Sequence, residues 1–192
     1  MTSPLSDGDE ALVALPAADL AVAELVEFAA RNADWHGERF AVPPTAEAWA
    51  YVLGDVSQRW YGIVAGELAA AREVLGIVVF TRWSGPPWRS AEIGFGVDRT
   101  MGGRGLIQAS VPEVLRRHLG VDLQRVEARV HPDNGAAARS LARLGFSLEG
   151  RLRGSIDADG GRADQDQWAI VAGDELTPSV IIADQAHDES SR

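Results

Sequence analysis

The stretch QRVEARVHPDNGAAARSLARLGF, residues 124–146, leaves few options for the fold. Its opening, QRVEARV, alternates polar and apolar side chains, the period of a half-buried strand. Asn134 then offers a side-chain oxygen to the first turn of a helix, and the helical pattern stops at Gly145, a residue suited to the left-handed C′ position. A strand leading directly into a capped helix stacks that helix on a sheet, which is an α/β arrangement. Upstream, WYGIVA (60–65), EVLGIVVFTRW (73–83) and WRSAEIGFGVD (88–98) are rich in β-branched and aromatic residues, and the turn SGPP (84–87) makes the last two an antiparallel pair. Downstream, FSLEGRLRGSI and ADQDQWAIVA pair across DADGG. The expectation is an α/β fold with a mixed, mostly antiparallel sheet.

The first third reads as strand, helix, loop, helix. ALVAL (11–15) is a first strand. DLAVAELVEFAAR (19–31) is an amphipathic helix with Asp19 as its cap. NADWHGERFAVPP is a loop, and TAEAWAYVLGDV (45–56) is a helix capped by Thr45. GELAAAR (66–72) is ambiguous between helix and strand.

Charge and composition exclude whole classes of chemistry. The net charge of -10 repels nucleic acid and anionic membrane, so neither is expected as a partner, and cationic partners are favoured. No cysteine is present, which removes disulfides and thiolate sites and suits a reducing, cytoplasmic setting. The acidic start MTSPLSDGDE lacks the pattern of a secretory signal, and no apolar run is long enough for a membrane helix. All 18 basic residues are arginine, so a lysine-dependent P-loop is impossible. Gly94 and Gly96 begin a dinucleotide fingerprint that fails at Arg99. No G-x-S-x-G or H-E-x-x-H occurs, the four histidines are scattered, and no metal is expected.

What survives is VDRTMGGRGL (97–106), a glycine- and arginine-rich loop between a strand and a helix. Helix N-terminal amides and their dipole attract phosphate, glycines let it approach the backbone, and Arg99 and Arg104 add charge. The plainer reading is a tight turn. Pro112 conflicts with a helix starting at the loop, because it removes a hydrogen bond and crowds the Gln108 carbonyl. SVPE also has the form of a capping box that would start the helix at Ser110. A first turn at 104–109 followed by a kink reconciles the two.

With AEIGFGVD, GGRGL, RVEARVHPDNGAAARSLARLGFSLEGRLR and GGRADQDQWAI together, residues 90–171 resemble the GNAT superfamily of acetyl-CoA-dependent N-acetyltransferases. They look most like the branch that acetylates ribosomal-protein N-termini at alanine or serine. The resemblance implies a GNAT fold over residues 1–172, with helices on both sheet faces, and an acidic tail at 173–192. It implies acetyl-CoA as co-substrate, with Gly102, Gly103, Arg104, Gly105, Leu106, Ile107 and Gln108 holding its pyrophosphate. The strand containing Gly96 and Val97 would pair with pantetheine, and Asn134 would contact the pantetheine arm; Arg139 and Arg143, at i and i+4, read equally as reaching the adenosine phosphates or as a solvated helix face. Glu92 stands where some members carry a catalytic glutamate, and the backbone N–H of Val97 or a neighbour would serve the oxyanion. Strand alternation places Glu92, Gly94 and Gly96 on one face.

The sequence departs from the family pattern at several positions. Gly102 replaces a usual Gln or Arg, and Ile107 a usual small residue. Leu141 and Ala137 stand where relatives carry a tyrosine or serine acid. The implied acceptor is a primary amine, either a protein N-terminus or a small cationic molecule. Asp157, Asp159, Asp164 and Asp166 form either a solvated turn or an acidic rim for that amine. Glu92 is equally readable as a structural carboxylate, and His131 as a loop residue or proton relay. Trp35, Trp49, Trp83 and Trp88 fall in segments that wall the acceptor site in the family, with core packing the ordinary alternative. A non-catalytic acyl-CoA-binding or protein-interaction module of the same fold is the competing function. The tail and exposed apolar strands would permit a homodimer.

Overall fold

The computed structural model describes residues 12–37, 40–65, 73–158 and 161–176. Seven strands form one sheet: β1 (Leu12–Pro16), β2 (Arg59–Ala65), β3 (Val74–Ser84), β4 (Ser90–Val97), β5 (Arg125–Val130), β6 (Ser147–Ala158) and β7 (Gly161–Val171). Their order is β1-β2-β3-β4-β5-β7-β6. Every neighbouring pair is antiparallel except β4–β5, which is parallel. The helices are α1 (Val22–His36), α2 (Ala46–Gly54), α3 (Leu106–His118) and α4 (Gly135–Leu144).

The alternation of side chains divides the core between the two sheet faces. On one face Leu25 and Phe28 of α1 and Trp49 of α2 pack on Val64, Val74, Ile77 and Val79. On the other, Val111, Val114 and Leu115 of α3 and Leu141 and Leu144 of α4 pack on Ile63, Val78, Ile93, Val126 and Ile170. Helices α1 and α2 therefore cover β2 and β3. On that same face β5 and β7 carry polar side chains.

Several expectations need correction. Asp19 is not a helix cap; it closes a short 3-10 turn (Ala17–Asp19), and α1 begins at Val22. Glu24 accepts a hydrogen bond from the Ala21 N–H, which occupies an N-terminal donor in the absence of a polar cap. The helix also runs on to His36 through residues read as loop. Thr45 and Asn134 cap as expected, accepting from Ala48 N at 3.2 Å and Ala137 N at 3.2 Å. Gly145 takes the left-handed conformation with φ 96°. The ambiguous segment 66–72 and the tail beyond 176 lie outside the described residues.

The SVPE capping box does not form. Ser110 is buried and its hydroxyl donates to the Leu106 carbonyl one turn back, at 2.6 Å. The helix starts at the loop, with Gly105 as N-cap at φ 79°, and continues through Pro112. Pro112 is buried with Val111 and Leu115, so packing offsets the missing Gln108 hydrogen bond.

Candidate active site

The parallel contact between β4 and β5 is short. Ser90, Ala91 and Glu92 pair with Arg125, Val126 and Glu127, and no pairing follows. Beyond that point β4 stays with β3 and β5 stays with β7, so the sheet splits. Asp98 N–H donates to the Leu75 carbonyl at 2.8 Å, which fixes the phase of the β3–β4 ladder. The backbone groups of Val97 and Phe95 consequently turn away from β3 and into the split. Gly96 and Gly94 turn theirs toward β3. The open edge is therefore lined by Phe95 and Val97, and a strand-like chain can add to it.

Both helices that follow these strands begin at the mouth of the split. β4 leads through Asp98–Gly105 into α3, and β5 leads through His131–Asn134 into α4. Their N-terminal amides and positive dipole ends are suited to an anion. Gly103 and Gly105 have φ 74° and 79°, with nothing within 4 Å of where a Cβ would stand, so the backbone is bare there. Arg99 and Arg104 are exposed and form no ion pair among the described residues. Gln108, in the first turn of α3, has a buried Nε2 without a partner among the described residues, and so has Trp168 at Nε1; Trp168 sits in register with Ala128 just past the split. These are donors that an elongated polar ligand could satisfy.

The structure refines the roles of the loop residues. Leu106 and Ile107 are buried in the core beneath α3, so only their backbones can face a ligand. Ile107 therefore does not crowd the loop. Gly102 lies beside the Trp35 ring, with Cζ2 3.4 Å from where its Cβ would stand. Arg139 lies beside Gly135 at the start of α4, with Nη1 3.1 Å from where a Cβ would stand, and is exposed. Arg143 faces its own partner. Leu141 is fully buried in the core and Ala137 is half-buried, so neither of these two positions offers a side-chain acid. His131 is exposed and accepts the Asp133 N–H at 3.2 Å, the role of a loop residue.

Glu92 shares a face with Gly94 and Gly96, as the alternation requires; they pair with Thr81, Val79 and Ile77 respectively. Its Oε2 accepts from Arg82 Nη1 at 2.9 Å and lies 3.6 Å from Arg129 Nε. Its Oε1 has no partner among the described residues. Arg129 Nε also donates to Gln167 Oε1 at 3.2 Å, which continues the polar strip across β3, β4, β5 and β7. Beside it, Arg125 bonds Glu127 and Glu149. Burial pushes the Glu127 carboxyl up, but hydrogen bonds from Arg125 and Gln167 outweigh it and hold the group below its ordinary range.

Arg82 reaches this strip through a β-bulge. Thr81 pairs with Glu92 and Ser84 with Ser90, so β3 carries one extra residue there. Arg82 takes φ 52°, a left-handed conformation unusual for arginine. Such a residue stores about 1–3 kcal/mol of strain and persists only when its surroundings demand it. The bulge puts Thr81 and Arg82 on the Glu92 face. Phe80 and Trp83 go to the other face, where their rings meet at 5.7 Å.

Three groups at the site were not singled out from sequence. His36 Nε2 donates to the Val97 carbonyl at 2.8 Å, which fixes its tautomer. The Phe40 ring lies over Gly94 and Gly96. A methyl on Gly96 would stand 2.7 Å from Phe40 Cε1 and 3.0 Å from His36 Nε2. Gly96→Ala is therefore expected to displace Phe40 and lower stability by about 1–3 kcal/mol, read as a lower urea midpoint. Asp98 is the third. It accepts from Arg31 Nε at 2.5 Å, Asn32 Nδ2 at 3.0 Å, Thr100 N at 2.9 Å and Thr100 Oγ1 at 2.7 Å. Burial opposes its charge, but these bonds win and hold its carboxyl well below the ordinary range. Asp98 so pins the start of the glycine loop to α1.

The tryptophans divide. Trp49 is core, edge-on to Trp60 at 5.1 Å, and Trp83 packs on His118 at 4.9 Å on the α3 face. Trp35 and Trp88 are exposed.

A parallel strand pair that splits, with a glycine loop and two helix N-termini at its mouth, is a fold-level signature that comparison can test. The family model described as "Acetyltransferase (GNAT) domain" matches residues 11–147. The chain belongs to this family. Among solved structures, the GNAT chain is similar to the ribosomal-protein-S5-alanine acetyltransferase of Vibrio fischeri, with 17% identity, a TM-score of 0.70, and coverage of 84% of this chain and 92% of that one. It is similar to Mycobacterium smegmatis RimJ in complex with CoA-disulfide, at 23% identity and TM-score 0.69, covering 85% and 83%. It is also similar to the microcin C7 self-immunity acetyltransferase MccE in complex with acetyl-CoA and AMP, at 18% identity and TM-score 0.67, covering 85% and 93%. At these identities the likeness is one of fold. No curated protein matches the sequence.

Proposed function

We propose that this GNAT domain transfers an acetyl group from acetyl-CoA to a primary amine by direct attack. The observation that carries the reading is the β4–β5 split with the bare loop at its mouth. In it, the backbones of Gly102 to Gln108 and the guanidinium of Arg104 hold the pyrophosphate. Val97 and Phe95 pair with the pantetheine arm, with Gly96 between them beneath Phe40; Asn134 flanks the arm, and Arg139 reaches the adenosine phosphates. A backbone N–H of Phe95 or Val97 meets the developing oxyanion.

The amine arrives over the opposite sheet face, at Glu92. Oε2 is committed to the two arginines, and Oε1 is free to accept a proton from the amine as it attacks. No side-chain acid is needed on α4. A thiol of pKa about 8.5 leaves with little assistance. An α-amine of pKa about 8 is about a tenth neutral near pH 7, whereas a lysine amine of pKa about 10.4 is less than a thousandth neutral. The site therefore suits an α-amine.

Glu92→Gln is expected to lower kcat by about 100-fold or more with little change in KM for acetyl-CoA. Peptides with a free N-terminus are expected to exceed N-blocked lysine peptides in kcat/KM. Stoichiometric acetyl-CoA binding with no turnover on any amine would replace this reading with that of a non-catalytic acyl-CoA-binding module.

A further inference from the structure

We propose that the acceptor carries a carboxylate within a few bonds of its reacting amine, and that Arg82, with Arg129 beside it, selects for that carboxylate. This inference rests on the acetyl-transfer reading and adds the acceptor's class. Three observations carry it.

The first is the effort spent on Arg82. An inserted residue and φ 52° turn this arginine onto the Glu92 face, when regular alternation would have sent it to the other. A left-handed arginine is retained against steric preference. The second is donor capacity. Among the described residues Arg82 donates only through Nη1, and its side chain is 63% exposed. Among the described residues Arg129 uses only Nε, leaving Nη1 and Nη2 without a partner there. Paired guanidinium donors in fixed forks match a carboxylate. The third is local charge. Arg125 is taken up by Glu127 and Glu149, which leaves Arg82 and Arg129 facing the single carboxylate of Glu92 at the exposed end of the strip. An ammonium at Glu92 Oε1 and a carboxylate at the arginines complete the alternation, whereas a polycation would meet two guanidiniums.

The acidic rim read from sequence does not oppose this. Asp157 is bound by Arg162 at 2.9 Å, Asp166 by Arg151 at 2.8 Å, and Asp164 accepts the Gly154 N–H. Asp159 lies outside the described residues. The acceptor that fits is a peptide N-terminus with an acidic second or third residue. A free amino acid offers the same chemistry through its α-carboxylate.

The test uses the full chain, acetyl-CoA, and peptides identical except for Asp, Asn or Lys at position two, with free aspartate and a linear polyamine as further acceptors. The expected kcat/KM ratio of Asp to Asn peptide is about tenfold or more, with the Lys peptide and the polyamine lower still. Arg82→Gln should collapse the Asp/Asn ratio toward one whatever happens to absolute rates, and Arg82→Lys should keep part of it. Faster use of aspartate than of the Asp peptide would assign the carboxylate to a free amino acid. A wild-type ratio near one, or a ratio that survives Arg82→Gln, overturns the proposal. The same ratio is read from calorimetric binding of the N-acetylated Asp and Asn peptides in the presence of CoA. If binding discriminates but no acetyl transfer occurs, the acetyl-transfer reading fails and the carboxylate site stands. Equal binding sinks the carboxylate site alone.

Discussion

Gly105→Glu is expected to eliminate measurable acetyl-CoA binding while the domain stays folded. Gly105 is the N-cap of α3 and sits at φ 79° with open space around its missing side chain. A side chain there meets no protein atom, so the folding cost is confined to a left-handed non-glycine residue, about 1–2 kcal/mol. A carboxylate at a helix N-terminus recovers about 0.3–1 kcal/mol of that. The bound phosphate would gain no such compensation. The new carboxylate would occupy the position where the amides and dipole of α3 act on an anion, and it would repel the pyrophosphate. A loss of about 3 kcal/mol or more in binding corresponds to more than about 100-fold in Kd. Calorimetric titration of acetyl-CoA into wild type, Gly105→Glu and Gly105→Asn separates charge from backbone strain, because asparagine tolerates the left-handed region. Wild-type affinity in Gly105→Glu would show that the phosphate does not lie at this loop.

The loop and its helix were legible in the sequence because they rest on local rules. Glycine spacing, the Asn134 cap and the Gly145 stop each depend on a few adjacent residues, and each appears in the structure. The conflict at Pro112 was real in sequence terms, but tertiary packing decided it. Pro112 and Ser110 both lie on the buried side of α3, where Ser110 bonds its own helix instead of capping.

On the proposed acceptor side, only Glu92 is legible in the sequence. Arg82, Arg129 and Gln167 come from three strands distant in sequence, and nothing local links them. For Arg82 the alternation rule gives the wrong face, because a bulge cannot be seen in VVFTRWS. The start of α1 was misread for a different reason. Asp19 is a good cap by type, yet the chain makes a short 3-10 turn first and the Glu24 carboxylate accepts the Ala21 N–H from inside the helix. His36 and Phe40 were assigned to a loop by composition, and they prove to form the cover over Gly94 and Gly96. The two glycines were noticed as part of a failed dinucleotide fingerprint. Their physical reason is the aromatic ring lying on them.

Asp98→Asn is expected to lower stability by about 3–5 kcal/mol, or roughly 6–20 °C in Tm. The side chain is 2% exposed and accepts four hydrogen bonds, from Arg31, Asn32 and Thr100. An asparagine keeps one acceptor oxygen but sets an NH2 group against the Asn32 and Arg31 donors, leaving the guanidinium without its carboxylate. The pH dependence follows from the lowered carboxyl. In the unfolded chain Asp98 titrates near 3.9; in the fold it is held well below that value. Between the two, the unfolded state binds a proton that the folded state refuses, so stability rises with pH in that window. The contribution is complete above about pH 5 and is lost as pH falls through 3.9 toward the folded value. Urea midpoints of wild type and Asp98→Asn should therefore differ widely at pH 7, and the gap should begin to narrow as pH falls below 3.9. The pairing bears on the loop because Asp98 joins α1 to its first turn, where the Thr100 and Arg99 N–H groups donate to Asp98 and Asn32 respectively. The variant should lose acetyl-CoA affinity even below its own Tm, since the loop amides would no longer be held in place. A gap between the two urea midpoints as wide at pH 3 as at pH 7 would mean that the charge of Asp98 is not what holds the loop.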